Sequence, residues 1–346
     1  MEIVMSFANK KREQIKRYIL EKIDENQDKL AAWTAETFEI SQNTVYRYLR
    51  ELEKDGIIRR TGREYSLVRQ SKTWRLKRSD NELKSEDGIY IKYIEPFIQG
   101  LPDNVEQIWQ YSFMEMMNNA IDHSEAENVT IGIVSTCVNT TIVIADDGVG
   151  IFEKIKNYFG YDSLDDAVKE LFKGKLTTDS KRHSGEGIFF TSRALDCFAA
   201  VSSGRIFTHD KYDEMFAELE DVQELSHWKE KTGTMIMMRL SNDSNRSLKE
   251  VFDTFSDVDG GFTRTRIPVK NIYETFPVSR SQAKRLCHRF DDFEEVELDF
   301  DGIDEIGQGF AHEIFVVFQN EHPQIRLIPI NTSNDVERMI THVKKS

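Results

Sequence analysis

The sequence predicts a multidomain α+β protein, and three observations carry that prediction. The chain has 346 residues, and a usual domain takes about 150, so there is material for more than one core. Its charge is divided: residues 1–80 carry 18 Lys and Arg against 13 Asp and Glu, whereas the remainder carries 28 against 47. The hydrophobic spacing also changes along the chain, from helical runs to paired β-prone runs and then to alternating strands and helices. The division of charge points to a basic module with its own partner, joined to an acidic body. A content of 39% hydrophobic and 31% charged residues excludes wholesale disorder and an integral membrane protein. No apolar run reaches the ~18 residues of a membrane span, and the first residues lack the apolar stretch of a secretory signal. Cys137, Cys197 and Cys287 stand apart without CxxC spacing, which argues against a disulfide framework or zinc ribbon. A cytoplasmic protein is expected.

The basic module comes first. From Lys10 to Asp24, Ile15, Tyr18, Ile19 and Ile23 form an amphipathic stripe, and Leu30–Phe38 reads as a second helix. Ser41 offers an N-cap oxygen to a third helix that stops at Gly56. On it Val45, Tyr48, Leu49 and Leu52 share the core face, which turns Gln42, Asn43, Tyr46, Arg47 and Arg50 outward. Two β-prone runs around Thr61-Gly62 read as a hairpin carrying Arg59, Arg60 and Arg63. This order resembles a winged helix-turn-helix over residues 1–70. The resemblance implies double-stranded DNA as partner, with the third helix in the major groove and the hairpin arginines on phosphates. Arg69–Glu86 is polar and reads as a linker over 71–87.

The central region carries the chemistry. In the helical run Phe113–Ser124, Glu115 and Asn119 lie four residues apart, on one face. A carboxylate there can orient a nucleophile, and an amide oxygen can help hold a hard cation. Two β-prone runs follow, and the second ends in Asp146-Asp147-Gly148-Val149-Gly150. A fixed carboxylate can accept from an exocyclic amine, and glycines let backbone approach a ligand. Ser184-Gly185-Glu186-Gly187 then leads into a helix through FFTSRALDCFA, and glycines before a helix N-terminus form a phosphate cradle.

E-x-x-x-N on a helix, D-x-G-x-G after a strand and G-x-G before a helix resemble the Bergerat ATP-binding fold (GHKL). This α/β sandwich is shared by type II topoisomerase ATPase subunits, ninety-kilodalton heat-shock chaperones, mismatch-repair clamps and histidine kinases. Gly233-Thr234, opening the strand TMIMMRL, matches its closing element, so the resemblance extends over residues 88–243. It implies ATP and Mg2+ as cofactors. Glu115 then corresponds to the catalytic base, Asn119 to the magnesium ligand and Asp146 to the adenine acceptor. Gly148 and Gly150 correspond to the turn beneath the adenine, and Gly185 and Gly187 to the phosphate loop. Thr234 corresponds to the hydroxyl that supports the aspartate through water. Residues 152–183 become the lid, whose Lys173, Lys175, Lys181 and Arg182 are expected near the triphosphate or in solvent. No Walker sequence GxxxxGK[ST] is present.

Residues 88–105 contain no His, which argues against an autophosphorylating histidine kinase. The Thr177-Thr178 pair before Ser184-Gly185 is similar to the anti-sigma serine kinases. From Ser247 the pattern alternates: TRTRIPVK, EEVELDF and IRLIPIN read as strands, separated and followed by helices, with mostly parallel pairing. VELDFDGIDEIGQGFAHEIF resembles a STAS-like domain of the DUF4325 type, placed at 247–346. Antagonists of that fold present a phosphorylatable serine in this turn; here Gln308 holds the position and has no hydroxyl. Asp299, Asp304 and Glu305 read as loop solvation.

Together these readings point to an ATP-binding, ATP-controlled DNA-binding transcriptional regulator with slow Mg-dependent hydrolysis. One alternative is an anti-sigma-type serine/threonine protein kinase acting on a separate protein. Another is the ATPase subunit of a nucleic-acid-processing or defence assembly. A protein partner through the STAS-like domain and a homodimer are compatible with each.

Overall fold

The computed structural model describes residues 2–23, 27–176, 185–209, 232–257, 259, 261–273 and 276–345, and these form a mixed α/β structure with three sheets. The first unit holds helices α1 (Glu2–Lys22), α2 (Gln27–Phe38) and α3 (Gln42–Lys54), then the antiparallel hairpin β1 (Ile58–Thr61) and β2 (Glu64–Leu67). Helix α1 starts ahead of the expected Lys10. Ser41 caps α3 by accepting the Thr44 N–H, and Val45, Tyr48, Leu49 and Leu52 face inward as their spacing requires. They meet Ile15 and Ile19 of α1, Ile23 just past its end, Leu30 of α2, and Ile58 and Leu67 of the hairpin in a core of their own.

The expected linker is corrected by the structure. Residues Gln70–Lys77 form strand β3, paired antiparallel with β4 (Asn128–Ser135) from Gln70↔Ser135 to Lys77↔Asn128. The stretch looks polar because it is an edge strand. Leu76 turns into the core and Trp74 packs against Tyr93 and Phe97, while Lys72, Arg75 and Lys77 stay exposed and guard the edge. With β5 (Asn139–Asp146), β6 (Cys197–Ser202), β7 (Arg205–Thr208) and β8 (Met235–Ser241), a six-stranded sheet is completed in the order β3-β4-β5-β8-β6-β7. Neighbouring strands are antiparallel throughout.

Successive residues of β5 serve opposite faces. Ile142 and Ile144 enter the main core, whereas Val143 and Ala145 join Ala199, Val201, Met235 and Met237 on the other side. Short helices α4 (Glu86–Ile89) and α5 (Glu95–Ile98), joined by a π turn at Tyr90–Ile94, precede the long α6 (Asp103–Asp122). Helix α6 buries Ile108, Trp109, Phe113, Met116 and Met117. Helices α7 (Ile151–Phe159), α8 (Leu164–Leu171) and α9 (Gly187–Ala194) follow. The helix expected through FFTSRALDCFA stops at Ala194, and Cys197–Ser202 is strand β6. The run Phe198-Ala199-Ala200-Val201 is buried on both faces of a central strand, so its hydrophobicity carries no period to separate strand from helix.

The remaining chain adds α10 (Leu248–Phe255), a helix the spacing did not announce, and a three-stranded sheet of β9 (Arg264–Pro268), β10 (Glu295–Asp299) and β11 (Arg326–Ile330). Both pairings are parallel, as expected, with β10 central and its Val296 and Leu298 buried. Helices α11 (Val269–Ile272), α12 (Arg280–Cys287), α13 (Gln308–His312), α14 (Gln319–Glu321) and α15 (Asn334–Lys345) accompany it, α13 running on into α14 through a π stretch, Glu313–Phe318. One hydrophobic core runs without a break from Leu76 to Val343. At its seam Phe190 meets Phe252 at 4.3 Å and Phe189 meets Phe262 at 4.7 Å between ring centroids. Among the described residues no helix is long and apolar enough to cross a membrane.

Candidate functional site

The motif residues converge on one cavity of about 360 Å3, within the ~300–1,000 Å3 usual for small-molecule sites. Glu115 and Asn119 enter it from consecutive turns of α6, Asp146 from the end of β5, Gly185 and Gly187 from the start of α9, and Thr234 from the start of β8. Met116, Ile144, Ile155 and Ile236 supply an apolar wall. Gly148 and Gly150 lie beneath rather than in the lining, and their turn presents Val149 and Ile151 instead.

The two neighbouring aspartates have different tasks. Asp147 faces away and binds the turn to its surroundings, accepting the N–H groups of Glu127 and Asn128 and the Asn128 amide. Asp146 is only 4% exposed. Its Oδ1 accepts the N–H of Gly148 at 3.0 Å and of Thr234 at 3.3 Å. Among the described residues its Oδ2 accepts no hydrogen bond. Burial pushes the Asp146 carboxyl up to about 6, against the pull of those two N–H groups. A half-satisfied buried carboxylate beside an apolar wall is an acceptor held ready for a donor.

Thr234 lies directly against Asp146. Its backbone N–H meets the carboxylate directly, while its hydroxyl accepts the N–H of Ile151 at 3.0 Å. The glycine turn is stitched to α6 through Ser124, whose carbonyl accepts the Val149 N–H at 2.7 Å. A methyl group on Gly148 would overlap that same carbonyl, so the close approach requires glycine. At the other end of the cavity a methyl group on Gly187 would overlap the Glu115 carboxylate. The acid therefore sits against the N-terminal turn of α9, where free N–H groups favour negative charge. Burial, with the charges of Glu115 and Glu186 nearby, pushes the Tyr111 phenol far above its ordinary value.

Two expected lid cations are corrected. Lys173 is buried and donates to Glu170 Oε1 at 2.6 Å and to the carbonyl oxygens of Arg285 and His288. Lys175 donates to the Asp292 carbonyl at 2.6 Å. Both turn from the cavity because backbone carbonyls of the C-terminal region lie within reach. Thr177, Thr178, Lys181, Arg182 and Ser184 fall outside the described residues. Sequence reasoning missed Ser124, Ser202, which donates to the Gly233 carbonyl at 2.8 Å, and Lys154, whose Nζ donates to the His123 carbonyl at 2.6 Å in the cavity lining. No spacing marks them; a β-prone run or an amphipathic helix reads the same without them.

Among the described residues no group of three His, Cys, Asp or Glu is placed to hold a metal. A divalent ion here would take the Asn119 amide oxygen, water and oxygens of its own ligand, which suits magnesium. In the N-terminal unit Gln42, Asn43, Tyr46, Arg47 and Arg50 are exposed on α3, as are Arg59, Arg60 and Arg63 on the hairpin. Arg47 lies 5.2 Å from the Tyr48 ring centroid and Arg60 5.6 Å from that of Tyr65.

Residues 282–337, from α12 through β10 and β11 into α15, match a family model described as a STAS-like domain of unknown function (DUF4325). The C-terminal region is STAS-like. No curated protein matches the sequence. In this region Gln308 is exposed at the first turn of α13. Asp299 accepts the Asn331 amide and the Asp301 N–H, while Asp304 and Glu305 are exposed.

Proposed function

We propose that the protein is an ATP-controlled DNA-binding regulator, with a Bergerat-type nucleotide site in the cavity and a winged helix-turn-helix at the N-terminus. The observation that carries the reading is the meeting of Glu115, Asn119, Asp146 and Gly187, from three separate stretches of sequence, around one cavity of suitable size. Asp146 Oδ2 takes the exocyclic amine of adenine, and Met116, Ile144 and Ile236 cover the ring. The turn at Gly185–Gly187 and the start of α9 receive the phosphates, and Asn119 holds magnesium. Bound ATP supplies the phosphoanhydride bond. Glu115 orients a water and accepts its proton, so turnover sets how long the bound state lasts. The exposed amides and arginines of α3 suit base edges, and the hairpin arginines suit phosphates.

Calorimetry in magnesium buffer tests the site. ATP should bind the wild type, and GTP should not, because guanine presents a carbonyl where adenine has its amine. Asn119→Ala should remove the magnesium-dependent part of the affinity. Folded wild type that takes up no ATP refutes the reading. A second reading, an anti-sigma-type serine/threonine kinase acting on a separate protein, is favoured by the STAS-like match. Labelled ATP separates the two, since transfer to a protein supports the kinase and phosphate release alone the switch. In either case Gln308 is not the acceptor.

A further inference from the structure

The wall of the cavity next to the glycine turn is held from outside by the STAS-like region. Arg289, just past α12, donates through Nη2 to the carbonyl oxygens of Gly174 at 3.2 Å and Lys175 at 2.7 Å. The next residue, Leu176, donates its N–H to the Gly185 carbonyl at 3.1 Å. Gly174, Leu176 and Gly185 all line the cavity. A continuous run of hydrogen bonds thus leads from a side chain of the matched family region to the turn that sets Gly187 against Glu115. The guanidinium is aimed by two carboxylates, Asp292 at 2.8 Å and Glu170 at 3.4 Å. Its backbone is left-handed, with φ 66 and ψ 16, a conformation a non-glycine residue keeps only where its surroundings hold it. Beneath it Lys173 neutralises Glu170, and the Thr265 hydroxyl binds the Lys173 carbonyl at 2.8 Å. Wall and clamp are far apart in sequence, so no local propensity makes this contact.

We infer that Arg289 is a positioning residue for the cavity, through which the STAS-like region fixes the wall Gly174–Leu176 beside the glycine turn. A partner that pulls on the end of α12 therefore loosens the phosphate end of the site, and a ligand in the site tightens the seam. The effect on nucleotide rests on the ATP reading; the clamp itself does not.

The test uses the full chain with Arg289→Ala, Arg289→Lys and, as control, Arg285→Ala, whose side chain among the described residues donates to the Ser281 carbonyl of its own helix. Hydrogen exchange without nucleotide should accelerate about tenfold or more at 173–176 in Arg289→Ala and stay unchanged in β4 and β5. Arg289→Lys, with one ammonium for two carbonyls, should fall between, and Arg285→Ala should match wild type. ATP affinity should drop about tenfold in Arg289→Ala. Unchanged exchange at 173–176, acceleration throughout the chain, or a loosened wall with wild-type ATP affinity overturns the inference. Should wild type bind no ATP, the nucleotide reading fails, and the exchange arm alone decides the clamp.

Discussion

Val138, at the turn before β5, packs on the core of the N-terminal unit, and Arg17 on α1 meets Asp243 at 2.6 Å across an exposed gap. On the C-terminal side the central sheet's helices continue into a common core with the STAS-like region, and buried Lys173 and Glu170 with half-buried Arg289 cross that seam. An exposed ion pair contributes at most about 1 kcal/mol and is screened by salt. A shared core cannot be opened so cheaply, because every apolar side chain at the seam would meet water. The comparison teaches that the basic unit keeps a core of its own, whereas the cavity and the STAS-like region share one. Strand β5 joins the two regimes, with Val138 just before its first residue and Asp146 at its last.

The sharpest way to break this comparison is Glu115→Gln. It should lower ATP turnover by about 100-fold or more while leaving ATP bound, and DNA affinity measured without nucleotide should not change. Loss of binding together with turnover would make Glu115 structural. Next in size, Arg47→Ala combined with Arg59→Ala should weaken DNA binding by about tenfold or more and lower its salt slope by about 1, for the phosphate contact of Arg59. ATP affinity should be untouched, and a change there would show the basic unit to be less separate than its core implies.

Asp146 gives a smaller effect with a definite sign. Its folded pKa, about 6, lies above the ordinary carboxylate value, so the stability it contributes is present below about pH 4 and is lost as pH rises through 6. Asp146→Asn should flatten that fall and raise Tm at pH 7, at about 2–4 °C per kcal/mol relieved, while ATP binding is lost. Thermal scans from pH 4 to 7 check it; equal slopes in both proteins would mean the carboxyl is not the group responsible. Smallest is Arg17→Ala, expected to cost no more than about 1 kcal/mol. A larger loss in denaturant titration would show that the attachment of the basic unit is broader than one exposed pair.

Much of the site was legible because its signals are short. Glu115 and Asn119 share a face by helical period alone, and Asp146 with its glycines sits where an alternating strand runs out. The same holds for α3, whose inward and outward residues follow from spacing and a serine cap. The strand at 70–77 was not legible. An edge strand shows water one side and keeps its charges there, so its composition is that of a linker until a partner strand supplies the ladder.

The sequence by itself therefore determined α3, α6, the paired strands β4 and β5 and the inventory of chemical groups, since these depend on neighbours within a turn or a strand. Only the tertiary structure decided where long cations point. Lys173 and Lys175 read equally well as facing phosphate or solvent, and they turn instead to carbonyls at Arg285, His288 and Asp292, more than a hundred residues away. A flexible ammonium goes to the best acceptors within its reach, and which acceptors lie within reach is settled by the packing of distant segments.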